Sequence, residues 1–279
     1  MNIKLFISSF GNDTAWINRH IKNTVTIEVG AACRGLSASE FSEDRVADNT
    51  GDNISKDNPY WGELTGLYWI WKNITFNDDD IVGFCHYNKI LNISERNIKK
   101  FFTENPRGWL VMNRDTCPFS DDDIVYVSLR KIFQDYYPDY YQEWKKFCKQ
   151  DKESLSWLPE FSPCNMFYTD ARSFNEYCGW LFGFLFRLRR MLGDIDGTPY
   201  EKRYCAFIGE RLLTSYLEHN HKKYKTLYGV GASTPFYAFL SRLAHGLKLN
   251  IDAKYYDLIR GFLRKYTHYR PAVSSWSRT

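Results

Sequence analysis

No two cysteines in this chain form a C-x-x-C pair, and the seven present (Cys33, Cys85, Cys117, Cys148, Cys164, Cys178, Cys205) are odd in number and widely spaced. That pattern argues against a zinc ribbon and a disulfide framework and fits a reducing compartment. Long apolar runs are missing too: the longest, Trp180 to Phe186, falls far short of the ~20 residues that span a bilayer. The opening residues MNIKLFISSFGND hold one lysine and an apolar stretch too short for a secretion signal, so the expected location is cytoplasmic. There is no internal repeat, no low-complexity stretch and no dinucleotide fingerprint, since Gly229-Val230-Gly231 has neither the third glycine nor the following acid. His219 and His221 stand two apart near a helix end and face different directions, which argues against zinc.

What is present is a large apolar fraction. With 279 residues and 44% hydrophobic content, the chain can bury the core of one large domain, or of one domain with an appendage. Charge is nearly balanced at +4 overall, but residues 231–279 carry eight basic side chains against Asp252 and Asp257. The expected division is therefore residues 1–230 as the main domain and 231–279 as a basic, aromatic helical tail.

Ile3 to Ile7 reads as an opening strand, with Ser8-Ser9-Phe10-Gly11 as a loop at its carboxyl end, and Val25 to Val29 as a second strand closed by Gly30. Helical periodicity runs from Gly62 to Asn73, with Leu64, Leu67, Tyr68 and Trp71 on one face and Pro59 just ahead of it. Ile81 to Cys85 is a third, buried strand. Trp109 to Met112 and Asn165 to Tyr168 are further strands, separated by a tyrosine-rich helical segment at 124–150. Helices at 171–192 and 200–218 follow. Strands alternating with helices predict an α/β fold whose sheet is substantially parallel.

In such sheets ligands collect beyond the carboxyl ends of the strands. Parallel strands would bring Ser8 and Ser9, His86 to Lys89, and Asn113 to Asp115 to one rim. Imidazole, amide and cations there suit an anionic ligand such as a nucleotide diphosphate.

Within Asp48 to Leu91, the pieces DNTGDNIS, ELT.LYWIWKN and VGF.HY stand in order; NMF, EYCGWLF and FIGERLL follow downstream. In this order they resemble a family of bacterial capsular polysaccharide and O-antigen glycosyltransferases marked by an HYRR motif, over residues 3 to 230. The resemblance implies a GT-A-like mixed, mostly parallel sheet flanked by helices. It also implies transfer of a hexose, galactose by preference, from a nucleotide-sugar donor (UDP-sugar favoured) to a lipid-linked glycan acceptor. By the same resemblance, donor contacts are expected at Ser8, Asn53, Ser55, Lys56, Asn58, Glu63, Thr65, His86, Tyr87, Lys89, Asn165 and Arg211, and acceptor-side contacts at Asp115 and Arg203. This chain has His86-Tyr87-Asn88-Lys89 in place of HYRR, so an amide and a point charge replace a planar phosphate clamp. A catalytically silent member that scaffolds polysaccharide assembly is the alternative reading, and a membrane-surface binding module carried by the tail is another.

An inverting transferase needs a carboxylate to take the acceptor's proton. Glu210, read as starting a helix after an apolar run and matching the family's ERL motif, is the expected base; its bland reading is a helix-start charge or an ion pair with Arg211 or Arg203. Glu63 is the second candidate, with capping or bracing of the loop Asn53 to Asn58 as its structural role. Asp78 to Asp80 precede their strand and read as a solvated turn, and Asp121 to Asp123 as the first-turn charge of a helix. Asp115 alone stands at a strand's carboxyl end and is the one candidate ligand for Mn²⁺ or Mg²⁺. The expectation is a metal-independent site in which Lys89, Arg114 or Arg211 offsets diphosphate charge.

In the tail, Phe236, Phe239, Leu240, Leu243 and Leu247, then Tyr255, Tyr256, Ile259, Phe262 and Leu263, alternate with cations. Such a segment can lie on the anionic inner-membrane surface or pack as a helical pair on the main domain. No RNA-binding motif accompanies the charge, so nucleic acid is not an expected partner.

Overall fold

The computed structural model describes residues 1–18, 21–113, 134–139 and 162–231. Asp115, Arg114, Asp121 to Asp123, most of the segment 124–150 and the tail from residue 232 lie outside the described residues.

Strand β1 (Ile3–Ser9) is apolar on both faces because it lies inside the sheet. It pairs in parallel with β2 (Thr24–Glu28) and with β4 (Ile81–His86), and β2 pairs in parallel with β3 (Arg45–Ala47), a strand too short to show a period in the sequence. A hairpin adds β5 (Lys89–Leu91) to β4. Beyond β4 come β7 (Phe167–Asp170), β6 (Trp109–Met112) and β8 (Tyr224–Leu227), giving the order β3-β2-β1-β4-β7-β6-β8. All of these are mutually parallel except β7, which runs against both β4 and β6.

Four helices carry the packing: α1 (Leu64–Asn73), α2 (Glu95–Glu104), α3 (Ala171–Leu192) and α4 (Tyr204–His219). In α3, Phe174, Tyr177, Cys178, Leu181, Phe182, Leu185 and Leu188 recur at three- and four-residue steps and bury one face. Asp170 starts α3 by accepting the Ser173 N–H at 2.9 Å, and Gly193, at φ 61°, ends it. Helix α1 differs from its expected one-faced pattern, since Leu64 through Ile70 are all buried. Trp71 stacks on Phe182 with ring centroids 5.6 Å apart, and Tyr68 meets the same ring edge-on at 5.0 Å. Phe6, Val82, Phe84, Val111 and Phe167 share one core cluster with α1, α3 and α4. Leu5 and Ile7, alternating with Phe6, point to the opposite face. No described helix is long and apolar enough to cross a membrane.

The fold is a GT-A-like mixed α/β sheet, mostly parallel and flanked by helices. Two local readings change. Ser8 and Ser9 are the buried last residues of β1, not a loop. The strand expected at Asn165 to Tyr168 begins two residues later, after a turn at Pro163–Asn165, and is antiparallel to its neighbours. The residues preceding β7 therefore lie at the carboxyl ends of its parallel neighbours, while Asp170 pairs with Ile81 at the opposite end.

Candidate functional site

His86, the last residue of β4, stands opposite Ser8 of β1 and opposite Lys89 of β5. Tyr87 and Asn88 thus form a two-residue hairpin loop, which is what the His-Tyr-Asn-Lys order builds locally. The Tyr87 N–H donates to the Ser8 carbonyl at 2.9 Å, and the Tyr87 carbonyl accepts from Trp16 Nε1 at 2.8 Å. Lys89 Nζ lies 4.0 Å from Cys164 Sγ, which links the hairpin to the turn ahead of β7.

Glu63 arrives from the other side. The helical turn Asn58–Trp61, with Pro59 near its start, breaks at Gly62 (φ 52°), and α1 begins just beyond Glu63. Glycine is favoured here by its dihedral, and a side chain at Gly62 would place Cβ 2.7 Å from Arg203 Nη2 and displace that guanidinium. Arg203 Nη2 lies 3.5 Å from Glu63 Oε2, and Asn165 Nδ2 donates to Glu63 Oε1 at 3.0 Å. Glu63 is 6% exposed and Asn165 1%. Glu63 makes no side-chain cap at α1 and does not brace the loop Asn53 to Asn58; its carboxylate is taken by Asn165 and Arg203.

Glu210 does not start a helix. It lies in the middle of α4, which begins at Tyr204 after the short turn Pro199–Lys202, because the apolar run ahead of it is itself helical. Of its two expected ion-pair partners, Arg203 is engaged with Glu63, and Arg211 acts on Glu210 through its charge. Burial pushes the Glu210 carboxyl up to about 7 and the nearby Glu63 charge adds to this, while Arg211, Arg203 and a backbone hydrogen bond from Cys164 pull part of it back. Burial holds the His86 imidazole below its usual range; Glu63 opposes that shift and Lys89 reinforces it. The Cys164 backbone favours charged His86, as a carbonyl acceptor does, and charged Glu210, as an N–H donor does. Cys164 and Asn165 both adopt left-handed backbone, at φ 68° and 48°, which is uncommon for consecutive non-glycine residues. The segment is anchored just upstream, where the Ser162 N–H donates to Thr214 Oγ1 at 2.9 Å, one turn of α4 beyond Glu210.

The remaining expected donor contacts fall into a different group. Asn53 Nδ2 donates to the Gly51 carbonyl at 3.0 Å while its Oδ1 accepts the Ser55 N–H at 3.2 Å. The Ser55 hydroxyl is bound to Asp48 and accepts the Ala32 N–H at 3.0 Å. Asn58 Nδ2 donates to the Gly62 carbonyl at 2.8 Å and to Thr65 Oγ1 at 3.1 Å, and Thr65 in turn donates to the Gly62 carbonyl. These polar groups hold the loop's own shape, and Tyr68, Trp69 and Asn73 of α1 brace it through Asp52 and Thr50. Lys56 is exposed. Arg211 is buried, with Nη1 on the Phe207 carbonyl, and reaches Glu210 electrostatically. The structure thus brings together Glu63, His86, Lys89, Asn165, Arg203 and Glu210, with Ser8 and Tyr87 as their support.

Three residues carry more than their sequence signal announced. Asp48 accepts the Gly30 and Ala31 N–H groups at 2.9 and 3.0 Å and ties that turn to Ser55. Glu28, 1% exposed, accepts from Gly11 at 2.8 Å and Arg34 at 2.6 Å and also binds Arg45. Cys164 joins His86 to Glu210 through its backbone, which no side-chain motif encodes. Asp80 accepts from Asn2 and Asn77 at the amino end of β4, as a turn leading into a strand would. Among the described residues, no group of three His, Cys, Asp or Glu side chains is placed to hold a metal ion.

In a structural comparison, the sheet and helices resemble the apo structure of the bifunctional glycosyltransferase WbbM, with a TM-score of 0.61 and 23% identity over 84% of this chain. The chain spans 46% of that protein's length. A Bacillus anthracis protein described as a glucose-1-phosphate thymidylyltransferase, in complex with sucrose, aligns over 90% of this chain and 96% of its own at 12% identity. Its TM-score of 0.36 is too low to speak for a shared fold. No curated protein matches significantly. The family profile described as Domain of unknown function (DUF4422) matches residues 16–116 and 120–222, well over half of the sequence, and the chain belongs to that family.

Proposed function

We propose that this chain is a glycosyltransferase that moves a hexose, galactose by preference, from a nucleotide-sugar donor to a glycan acceptor. The observation that carries the reading is Glu210: a half-buried carboxyl raised to about 7, beside a second carboxylate, at the carboxyl-end rim of a GT-A-like sheet. A base poised near neutral pH is the group that inverting transfer to a hydroxyl requires. In the proposed step the acceptor O–H gives its proton to Glu210 as its oxygen bonds to the anomeric carbon. The bond from that carbon to the diphosphate breaks, and the nucleoside diphosphate leaves with the electron pair. Lys89 and Arg203 stand close enough to the cluster to offset the leaving group's charge.

Within this reading the donor is a UDP-sugar, the acceptor a lipid-linked glycan of capsule or O-antigen synthesis, and the setting the cytoplasmic face of the inner membrane. Residues 1–230 hold the catalytic machinery, and the basic tail 231–279 meets the membrane surface. The test is product formation from a panel of UDP-, GDP- and dTDP-sugars, with and without Mn²⁺. Turnover of a UDP-hexose is expected, with kcat reduced by about 10² to 10⁴ in Glu210→Gln. Absence of both binding and turnover across the panel overturns the reading.

A further inference from the structure

Asn165 sits at the centre of the cluster, and its amide orientation is set by a carboxylate. Nδ2 donates to Glu63 Oε1 at 3.0 Å, and a carboxylate can only accept, so Oδ1 is the other end of the amide. That oxygen is buried and has no hydrogen-bond partner among the described residues. It can accept a hydrogen bond and cannot donate one.

His86 has the same polarity. Burial keeps the ring in its neutral form at pH 7, with a single N–H. Nε2 is the ring nitrogen buried without a partner among the described residues, which leaves Nδ1 to donate to the Cys164 carbonyl. Nε2 then presents a lone pair. Together with Glu210, which accepts in its ionised form, the cluster offers up to three acceptors, with Glu63 behind them.

We propose that Asn165, His86 and Glu210 form a hydroxyl-recognition subsite, which holds a sugar ring through O–H groups donated to these three acceptors and turns phosphate away. A phosphate is itself acceptor-only, and Asn165 Oδ1 and His86 Nε2 offer it no donor; its partners are Lys89 and Arg203 at the margins. This rests on the glycosyltransferase reading and departs from the expectation that His86 touches the donor's phosphate. The left-handed pair Cys164–Asn165 gives the subsite its shape, because the turn aims one backbone at His86 and Glu210 and the next side chain at Glu63.

The test uses the full chain and isothermal titration with UDP, UDP-galactose and the four UDP-deoxyfluorogalactoses. Fluorine keeps the size of a hydroxyl and removes its donor, so at least one fluorinated analogue should bind the wild type about tenfold or more weakly than UDP-galactose. In Asn165→Ala that penalty should vanish and UDP-galactose affinity should fall about tenfold, while UDP affinity stays within twofold. Equal binding of all the fluorinated analogues by the wild type, which needs no variant to fold, overturns the proposal. So does a loss of UDP affinity in Asn165→Ala as large as the loss for UDP-galactose. If the wild type binds no nucleotide at all, the glycosyltransferase reading falls separately. Saturation-transfer NMR with free galactose then decides the subsite: signal in the wild type that disappears in Asn165→Ala supports it, and no signal overturns it.

Discussion

Glu28 and Glu210 are glutamates enclosed at the same end of one sheet, and they have been given opposite electrostatic fates. Burial alone would raise Glu28, but hydrogen bonds from Arg34 and Gly11 and the charge of Arg45 outweigh it and leave its carboxyl below the usual range. At Glu210 desolvation wins: the charges of Arg211 and Arg203 oppose it, but Arg203 also faces Glu63, whose own negative charge adds to the rise. The first is a permanently ionised strut that ties β2 to the loops after β1 and to β3. The second is held where a proton can come and go. Enclosure by itself therefore does not identify a reactive carboxyl; the balance between direct cation hydrogen bonds, as at Glu28, and a neighbouring like charge, as at Glu210, does.

The sharpest way to break this contrast is exchange to the neutral isostere. Glu210→Gln should cost about 10² to 10⁴ in the turnover of a UDP-hexose while leaving the fold intact by circular dichroism. Glu28→Gln should cost far less in turnover per folded molecule, yet lose about 2 to 3 kcal/mol of stability in urea unfolding, because Arg34 and Arg45 lose their shared partner. Equal stability losses in the two variants would remove the distinction.

The pH dependence of those stabilities gives a second handle, with opposite signs. Glu210 has a folded pKa above its unfolded value, so the stability tied to its neutral form is present below about 4.5 and is lost as pH rises through about 7. Glu210→Gln should therefore become more stable than wild type by about 1 to 3 kcal/mol above pH 8 and match it below pH 5. Glu28 is depressed, so its contribution is present above the usual carboxylate range and is lost as pH falls below it. The deficit of Glu28→Gln should shrink in acid.

Smaller effects refine the picture. Arg203→Gln removes the shared cation and should move the acidic limb of kcat/KM upward by about one pH unit, without changing the Glu28 behaviour. Cys164→Gly removes the cost of left-handed backbone at φ 68° and should change stability by no more than about 1 kcal/mol, measured in the same urea series.

Much of this was legible in the sequence, and what was hidden has physical causes. Strands β1, β2, β4 and β6 and helix α3 show because apolar runs and helical spacing record burial directly. Strand direction leaves no such record. A four-residue strand reads the same both ways, so the reversal of β7 was invisible, and with it the arrival of Cys164 and Asn165 at the rim. His86, Glu63 and Glu210 stood out by type and motif, but their partners are long-range: Asn165 reaches Glu63 across 102 positions. Asn53, Ser55 and Asn58 were expected as donor contacts, and loop-forming and ligand-binding polar side chains are the same residue types. Their hydrogen bonds to Gly51, Asp48 and Gly62, which shape the loop, left no trace in the sequence.

The most direct test is a ¹³C titration of the glutamate side-chain carboxyls, with Glu210 and Glu28 assigned by their glutamine variants. A resonance with midpoint near pH 7 that disappears in Glu210→Gln, and another below the usual glutamate range that disappears in Glu28→Gln, are the expected results. Ordinary midpoints near 4.5 for both carboxyls would contradict the assignment of Glu210 as the poised base.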